Sequence, residues 1–109
     1  MKLLSRMEEI ILVAIWRLGE EAYGLAIRRE VILVTEEEWA LGAIYPYLGR
    51  LLQAGYVRTS TIQATPERGG RHKILYRLTD AGRDALAEVH RIGRRTWDGI
   101  SIPALRKPV

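Results

Sequence analysis

The sequence predicts a mainly helical domain with one small β-hairpin, followed by a C-terminal helix. Apolar residues recur at helical spacing in three successive segments, two short β-prone segments then flank a glycine-containing loop, and a last helical segment follows. With 109 residues, the chain has the length of one domain. We expect residues 1–79 to form the helix and hairpin domain, residues 80–100 the C-terminal helix, and residues 101–109 an irregular tail.

The first two helices are predicted from a start signal and from apolar spacing. Ser5 and Glu8 have the spacing of a capping box, in which a hydroxyl and a carboxylate satisfy free amides at a helix start. Apolar residues continue at helical spacing to Leu18, and Gly19 gives the backbone freedom to end the helix there. A second helix is expected over residues 23–34, which are more apolar than a surface helix requires.

The third helix is predicted over residues 41–54. Pro46 lies inside it, and an interior proline removes a backbone hydrogen bond, so we expect an irregular or bent start. The buried positions are predicted to be Ile44, Leu48, Leu51 and Leu52. The other face would then carry Ala43, Tyr45, Tyr47, Arg50 and Gln53.

Two strands are predicted after this helix, over residues 56–62 and 74–78, with a long basic loop between them. The loop contains Pro66, Arg68, the pair Gly69-Gly70, and Arg71. A helix followed by a basic hairpin is the arrangement of a winged helix-turn-helix, in which the helix enters a major groove of DNA and the wing reaches the neighbouring backbone.

Candidate DNA contacts follow from this arrangement. Arginine can read guanine, glutamine can read adenine, and a tyrosine hydroxyl usually contacts phosphate. Either tyrosine of the helix could instead pack under the wing, and the basic glycine turn could be an ordinary solvated loop. The candidates are Tyr45, Tyr47, Arg50 and Gln53 in the helix, and Arg68, Gly69, Gly70, Arg71, Lys73 and Arg77 in the wing.

The last helix, capped by Thr79, is expected to make a homodimer, because it has no core left to cover within the chain. Along one side of this helix runs an apolar stripe, which consists of Leu86, Val89, His90, Gly93 and Trp97. Trp97 and Trp16 on the first helix could together stack a planar aromatic effector across the dimer, although simple interface packing explains them as well.

The composition excludes several kinds of site and several classes of protein. The chain has no cysteine, which removes disulfides, thiolate zinc sites and thiol nucleophiles, and we expect no metal or other cofactor. No paired nucleophile and base and no glycine-rich phosphate loop after a strand are present, so we expect no enzyme. The net charge of +4 favours a polyanionic partner. No apolar run is long enough to span a membrane, and a cytoplasmic protein is expected.

Several motifs in this order resemble the PadR family of transcription regulators, in particular a short subgroup with one helix after the wing. They are Tyr23-Gly24, residues 41–46, Arg50-Leu51, residues 55–57, and residues 69–71 with 78, 79 and 82. The resemblance implies a homodimer joined through the C-terminal helices that binds an inverted repeat in double-stranded DNA, usually as a repressor, in some members released by a small molecule.

The chain also departs from this pattern. Ala40 stands where many relatives have a Ser or Thr, and Ile74 and Leu75 replace a basic and an aromatic residue. These departures keep open one alternative, a winged-helix interaction module without operator binding. A second alternative rests on Trp97 instead: a regulator whose ligand site at the dimer seam matters as much as its DNA face.

Overall fold

The computed structural model describes residues 2–62 and 73–106. Its mainly helical architecture with a two-stranded hairpin confirms the predicted fold class. The elements are α1 (Arg6–Leu18), a 3₁₀ turn (Gly19–Glu21), α2 (Gly24–Thr35), α3 (Leu41–Gln53), β1 (Val57–Ile62), β2 (Lys73–Leu78), α4 (Asp80–Thr96) and α5 (Ile102–Leu105).

Helix α1 begins and ends where the sequence predicts. The backbone N–H of Ser5 donates to Glu8 Oε1 at 2.7 Å, and the N–H of Glu8 donates to Ser5 Oγ at 3.2 Å, which completes the capping box. Gly19 ends the helix with φ 55°, a conformation that favours glycine. The local signals at both ends therefore agree with the fold.

The turn between α2 and α3 is held by side chains of α2. Glu36 takes a left-handed conformation just after α2, with φ 58°. The guanidinium of Arg28 donates to the carbonyl of Trp39 at 2.5 Å and lies 3.5 Å from a carboxylate oxygen of Glu38. These contacts fix the turn from which α3 starts.

Helix α3 runs without interruption from Leu41 to Gln53, with Pro46 inside it, so its start is regular rather than irregular. The carbonyl left without its usual partner belongs to Gly42, which is exposed, so water can satisfy it at little cost. Leu52, expected to be buried, is 44% exposed, because Ile44 and Leu51 direct a different side of the helix toward the core.

The hairpin is antiparallel and has a third, short neighbour. In its register Val57 is opposite Leu78, Arg58 is opposite Arg77, and Ile62 is opposite Lys73. On the other edge of β2, the N–H of Tyr76 donates to the carbonyl of Ala22 at 2.9 Å, and an isolated antiparallel bridge joins residues 23 and 75. Strand β2 thus lies between β1 and the segment that leads into α2.

The core joins three helices to the base of the hairpin. From the hairpin, Val57, Tyr76 and Leu78 close it on one side. Burial of these side chains is the main source of stability, at about 1.5–3 kcal/mol for each large aliphatic residue. The fully buried large side chains are Ile11, Leu12, Ile15, Ile27, Val31, Ile44, Leu48 and Leu51.

The expectation that the apolar stripe of α4 has no core to cover within the chain is wrong. Leu86 and Val89 are partly buried and pack against the core of the same chain, as does Ala85. Thr79 caps the helix as predicted, accepting from the N–H of Gly82 at 3.1 Å. The first half of the stripe is therefore used within the chain, because the helix starts directly on top of the core.

The tail also differs from the expectation of irregular structure. Ser101 caps one helical turn, α5, by accepting from the N–H of Ala104 at 3.3 Å. The principal extents of the molecule are 61 × 29 × 20 Å, an elongated shape for a chain of this length. Within the described part of the chain, no helix is long and apolar enough to cross a membrane.

Candidate functional site

The exposed surface of α3 is the central feature of the candidate site. Ile44, Leu48 and Leu51 are buried and hold the helix against the core. The side opposite them consists of Gly42, Pro46, Gly49 and Gln53, all exposed. Glycine has no side chain and proline has a compact one, so little protrudes from the outermost side of the helix. Gln53 is the long polar side chain on that side.

Tyr45 lies on one flank of α3 rather than on this outermost side. It is 47% exposed, and its ring lies over Gly24, where an added Cβ atom would be 2.9 Å from the hydroxyl oxygen. Its hydroxyl also lies near Tyr76, whose pKa is raised first by burial and second by the proximity of Tyr45. Tyr45 therefore joins α3 to the start of α2 and to the hairpin while keeping about half of its surface open.

Tyr47 lies on the opposite flank. Two residues along an α-helix correspond to a rotation of about 200°, so Tyr45 and Tyr47 cannot share one outward face. Tyr47 is partly buried against the core, and the guanidinium carbon of Arg50 lies 4.7 Å from the centroid of its ring. The structure therefore separates two residues that the sequence interpretation had placed together.

Arg50 and Gln53 are exposed and share a surface depression with the N-terminal segment. Lys2 and Tyr56 line the same depression. Sequence reasoning did not select Lys2, and only its basic character, close to the predicted start of α1, could have drawn attention to it. Helix α3 and the N-terminal segment thus present two cationic side chains and one amide on a common surface, which the carboxylate of Glu8 also lines.

Lys73 and Arg77 lie on one face of β2, as their spacing indicates, but they have different surroundings. The ammonium of Lys73 is 4.1 Å from the centroid of the Tyr23 ring. The guanidinium of Arg77 is 3.6 Å from a carboxylate oxygen of Glu20. The Cα atoms of the two residues are about 13 Å apart along the strand. Four other candidates, Arg68, Gly69, Gly70 and Arg71, lie outside the described residues.

The second half of the α4 stripe borders a groove of about 560 Å³ together with the start of α1. His90 is exposed, Gly93 is half-buried, and Trp97 is 44% exposed at the far end. Trp16 lies at the other end of α1 and lines a different cavity. One protomer therefore does not bring the two tryptophans together.

The chain is similar to a known family and to solved structures. A family model described as the transcriptional regulator PadR-like family matches residues 11–88. H. salinarum RosR is 31% identical with a TM-score of 0.68, over 94% of this chain and 86% of that one. No curated protein matches the chain.

Two more distant structures share the fold. A PadR-like transcriptional regulator from Bacillus cereus is 22% identical with a TM-score of 0.69, over 94% of this chain and 93% of that one. A PadR family transcriptional regulator from Eggerthella lenta is 24% identical with a TM-score of 0.65, over 86% of this chain and 80% of that one.

Proposed function

Because this chain belongs to the PadR-like family of transcriptional regulators, which are not enzymes, we propose that it binds an inverted-repeat operator as a homodimer and represses transcription by occluding a promoter. The observation that carries the proposal is the geometry of α3. Buried leucine and isoleucine side chains anchor the helix, while Arg50 and Gln53 remain exposed on the surface that a major groove would meet.

The smooth outer side of α3 supports close approach to DNA. An added Cβ atom at Gly42 or Gly49 would meet nothing within 4 Å in the protein, so these positions are open to a partner. With little side-chain bulk between them, the helix backbone can lie deep in the groove, and Gln53 at the far end of this surface can reach a base edge. Pro46 offers an apolar contact of the kind that a thymine methyl group accepts.

Charge supports a DNA partner as well. The chain carries a net charge of +4, and Arg68 and Arg71 flank two glycines in the predicted wing. Contacts from such residues to phosphates release counterions, which makes the affinity depend steeply on salt. Lys73, held beside Tyr23 at the described edge of the wing, extends this basic surface toward α2.

The proposed dimer rests on apolar surface at the C-terminal end. Trp97, Ile100, Ile102 and Leu105 are each at least 44% exposed, and they follow one another just beyond the part of α4 that packs on the core. A second copy related by a twofold axis would cover this surface and would present two α3 helices, which matches an inverted repeat. Such a regulator acts on chromosomal DNA in the cytoplasm.

Two alternatives keep specific support. Helix α3 lacks a side-chain cap because Ala40 occupies that position, and Ile74 is 51% exposed on β2; both features favour an interaction module without operator binding. The groove between α4 and α1 and the half-exposed Trp97 support a regulator that also takes a planar aromatic effector at the dimer seam.

The deciding experiment is fluorescence anisotropy of a labelled duplex from upstream of the protein's own gene, compared with a scrambled duplex at two salt concentrations. We expect selective binding that weakens with salt. The matched variants are Arg50→Ala and Arg106→Ala, which remove the same charge from α3 and from the tail. Only the first should lower selectivity. Equal, salt-insensitive binding to both duplexes would favour the interaction module.

A further inference from the structure

Helix α3 begins without the side-chain cap that α1 and α4 have. Ala40 precedes it with φ −71° and ψ 146°, close to the extended conformations of Ser5 before α1 and Thr79 before α4. The hydroxyls of Ser5 and Thr79 each accept from the backbone N–H three residues later, whereas Ala40 has no side-chain acceptor. Gly42 in the first turn adds backbone freedom. The local sequence therefore predicts a frayed start, although the helix is regular from Leu41 onward.

Arg28, in the middle of α2, holds the residue just before this position. Its guanidinium Nε donates to the carbonyl oxygen of Trp39 at 2.5 Å. The indole ring of Trp39 packs against the core, and the hydrogen bond fixes its backbone as well. The side chain of Arg28 is 32% exposed, so this bond is partly shielded from water. A hydrogen bond from a charged donor is about twice as strong as a neutral one. Arg28 therefore restrains the backbone that leads into Ala40 and the first turn of α3.

The other hydrogen bonds of the turn hold its first half. The hydroxyl of Thr35 donates to the carbonyl of Val31 at 2.8 Å and accepts from the N–H of Glu37 at 3.3 Å. Within the described part of the chain, the bond from Arg28 is the hydrogen bond that joins residues 38–40 to α2. Loss of that bond would leave the backbone of this second half free to shift.

The ion pair of Arg28 with Glu38 contributes less than this hydrogen bond. A guanidinium nitrogen and a carboxylate oxygen of the pair are 3.5 Å apart, and the side chain of Glu38 is 87% exposed. A lysine at position 28 would keep the positive charge but would lose the planar guanidinium with its fixed donor directions. Replacement of Arg28 by lysine thus separates the effect of the hydrogen bond from the effect of the charge.

We infer that Arg28 is a positioning residue for DNA recognition, which takes the place of the absent cap and fixes the first turn of α3. The inference rests on the proposed function. Ile44 is the first buried side chain of α3, so the turn before it is placed by the backbone that precedes it. Recognition helices contact base edges with their N-terminal residues, and a shifted first turn would keep Gly42 and Pro46 from lying close to the groove. Arg28 thereby controls selectivity between duplexes without itself touching DNA.

Fluorescence anisotropy with the duplex from upstream of the protein's own gene and a scrambled duplex tests this role. Arg28→Lys should lower the ratio of the two affinities at least about threefold. The affinity for the scrambled duplex and its salt slope should stay unchanged, because Arg28 makes no phosphate contact and a general loss of folded protein would weaken binding to both duplexes alike. Arg29→Lys and Glu38→Gln are matched controls on exposed side chains and should leave the ratio unchanged.

Amide hydrogen exchange in the free protein, measured by NMR, tests the positioning directly. The N–H of Ala43 donates to the carbonyl of Ala40 at 2.9 Å, in the first turn of α3. Arg28→Lys should accelerate the exchange of this N–H at least about threefold more than that of Leu48, in the middle of the helix. In the original chain, Ala40→Ser should change this exchange less than about twofold, since Arg28 already holds the turn. In the Arg28→Lys variant, the same serine should restore both slow exchange and selectivity.

The role of Arg28 and operator binding itself are contradicted by different results. A selective original chain with an equally selective Arg28→Lys variant, or unchanged exchange at Ala43, would overturn this inference and leave the proposed function intact. No selectivity in the original chain would contradict the proposed function, and the role of Arg28 in DNA recognition with it. Circular dichroism checks that each variant is folded. If Arg28→Lys is unfolded, Ala40→Ser alone decides, since much slower exchange at Ala43 in that variant would show that Arg28 does not take the place of a cap.

Discussion

Replacing Gly82 by alanine is expected to destabilise the protein, although alanine is the better helix former. Gly82 is buried in the first turn of α4, directly against the backbone of Tyr56. An added Cβ atom would lie 2.1 Å from the carbonyl oxygen of Tyr56 and 3.0 Å from its carbonyl carbon. That oxygen also accepts from the N–H of Thr79 at 3.0 Å, so it cannot move away without loosening the start of the helix.

The expected change in the free energy of unfolding is the balance of opposing effects. Alanine gains about 1 kcal/mol in helix propensity over glycine. Overpacking against a fixed backbone costs about 1–3 kcal/mol or more, and weakening the hydrogen bond to Thr79 costs about another 1 kcal/mol. We therefore expect Gly82→Ala to lower the free energy of unfolding by about 2 kcal/mol, or the Tm by roughly 10 °C.

Urea unfolding followed by far-UV circular dichroism measures this difference. All variants must be compared at one protein concentration, because a dimer makes the apparent stability depend on concentration. Gly49→Ala is the control, since Gly49 is also inside a helix but its Cβ position is open. It should stabilise the protein by about 0.5–1 kcal/mol. If Gly82→Ala is as stable as the original chain, the assigned contact between α4 and the backbone of Tyr56 is wrong.

Three further predictions concern pH, DNA and assembly. Burial raises the pKa of Tyr76. The contribution of its neutral phenol to the free energy of unfolding is therefore complete below pH about 10 and is lost as the pH rises through the raised pKa. Urea unfolding at several alkaline pH values should show that Tyr76→Phe flattens this loss of stability. Arg71→Ala should weaken binding to all duplexes and reduce the salt slope by about 1, whereas Arg50→Ala or Gln53→Ala should reduce discrimination; equal losses throughout would contradict these roles. Trp97→Glu should shift sedimentation equilibrium from dimer to monomer, and an unchanged dimer would place the interface elsewhere.

Local signals were sufficient for most of the fold. The capping box at Ser5, the left-handed Gly19 and the cap at Thr79 are interactions within a few residues, so sequence alone locates these helix ends. The anchoring side chains Ile44 and Leu48 follow from helical periodicity, because one buried face must repeat every three or four residues. The family assignment rests on the same short-range motifs.

The candidate site was harder to predict than the fold. It depends on which side of a helix each side chain occupies and on contacts between segments that are distant in the sequence. Tyr45 and Tyr47 are both polar aromatic residues in one helix, yet tertiary packing directs one over Gly24 and the other onto the core. The register that places Arg58 opposite Arg77 spans the whole wing, and loop length alone does not determine it. The cavity beside Trp16 could therefore be found only from the assembled structure.

The apolar stripe of α4 shows why helical periodicity alone does not locate a dimer interface. An apolar residue covered by its own core and one covered by a partner leave the same helical periodicity in the sequence. In the structure, Leu86 and Val89 are taken up by the core, whereas Trp97 is left half exposed. The 17 residues of α4 span about 25 Å, longer than the core beneath it, so its last turns extend past the domain. The surface that a second copy would cover therefore begins near Gly93 and continues through Trp97 and Ile100 into α5.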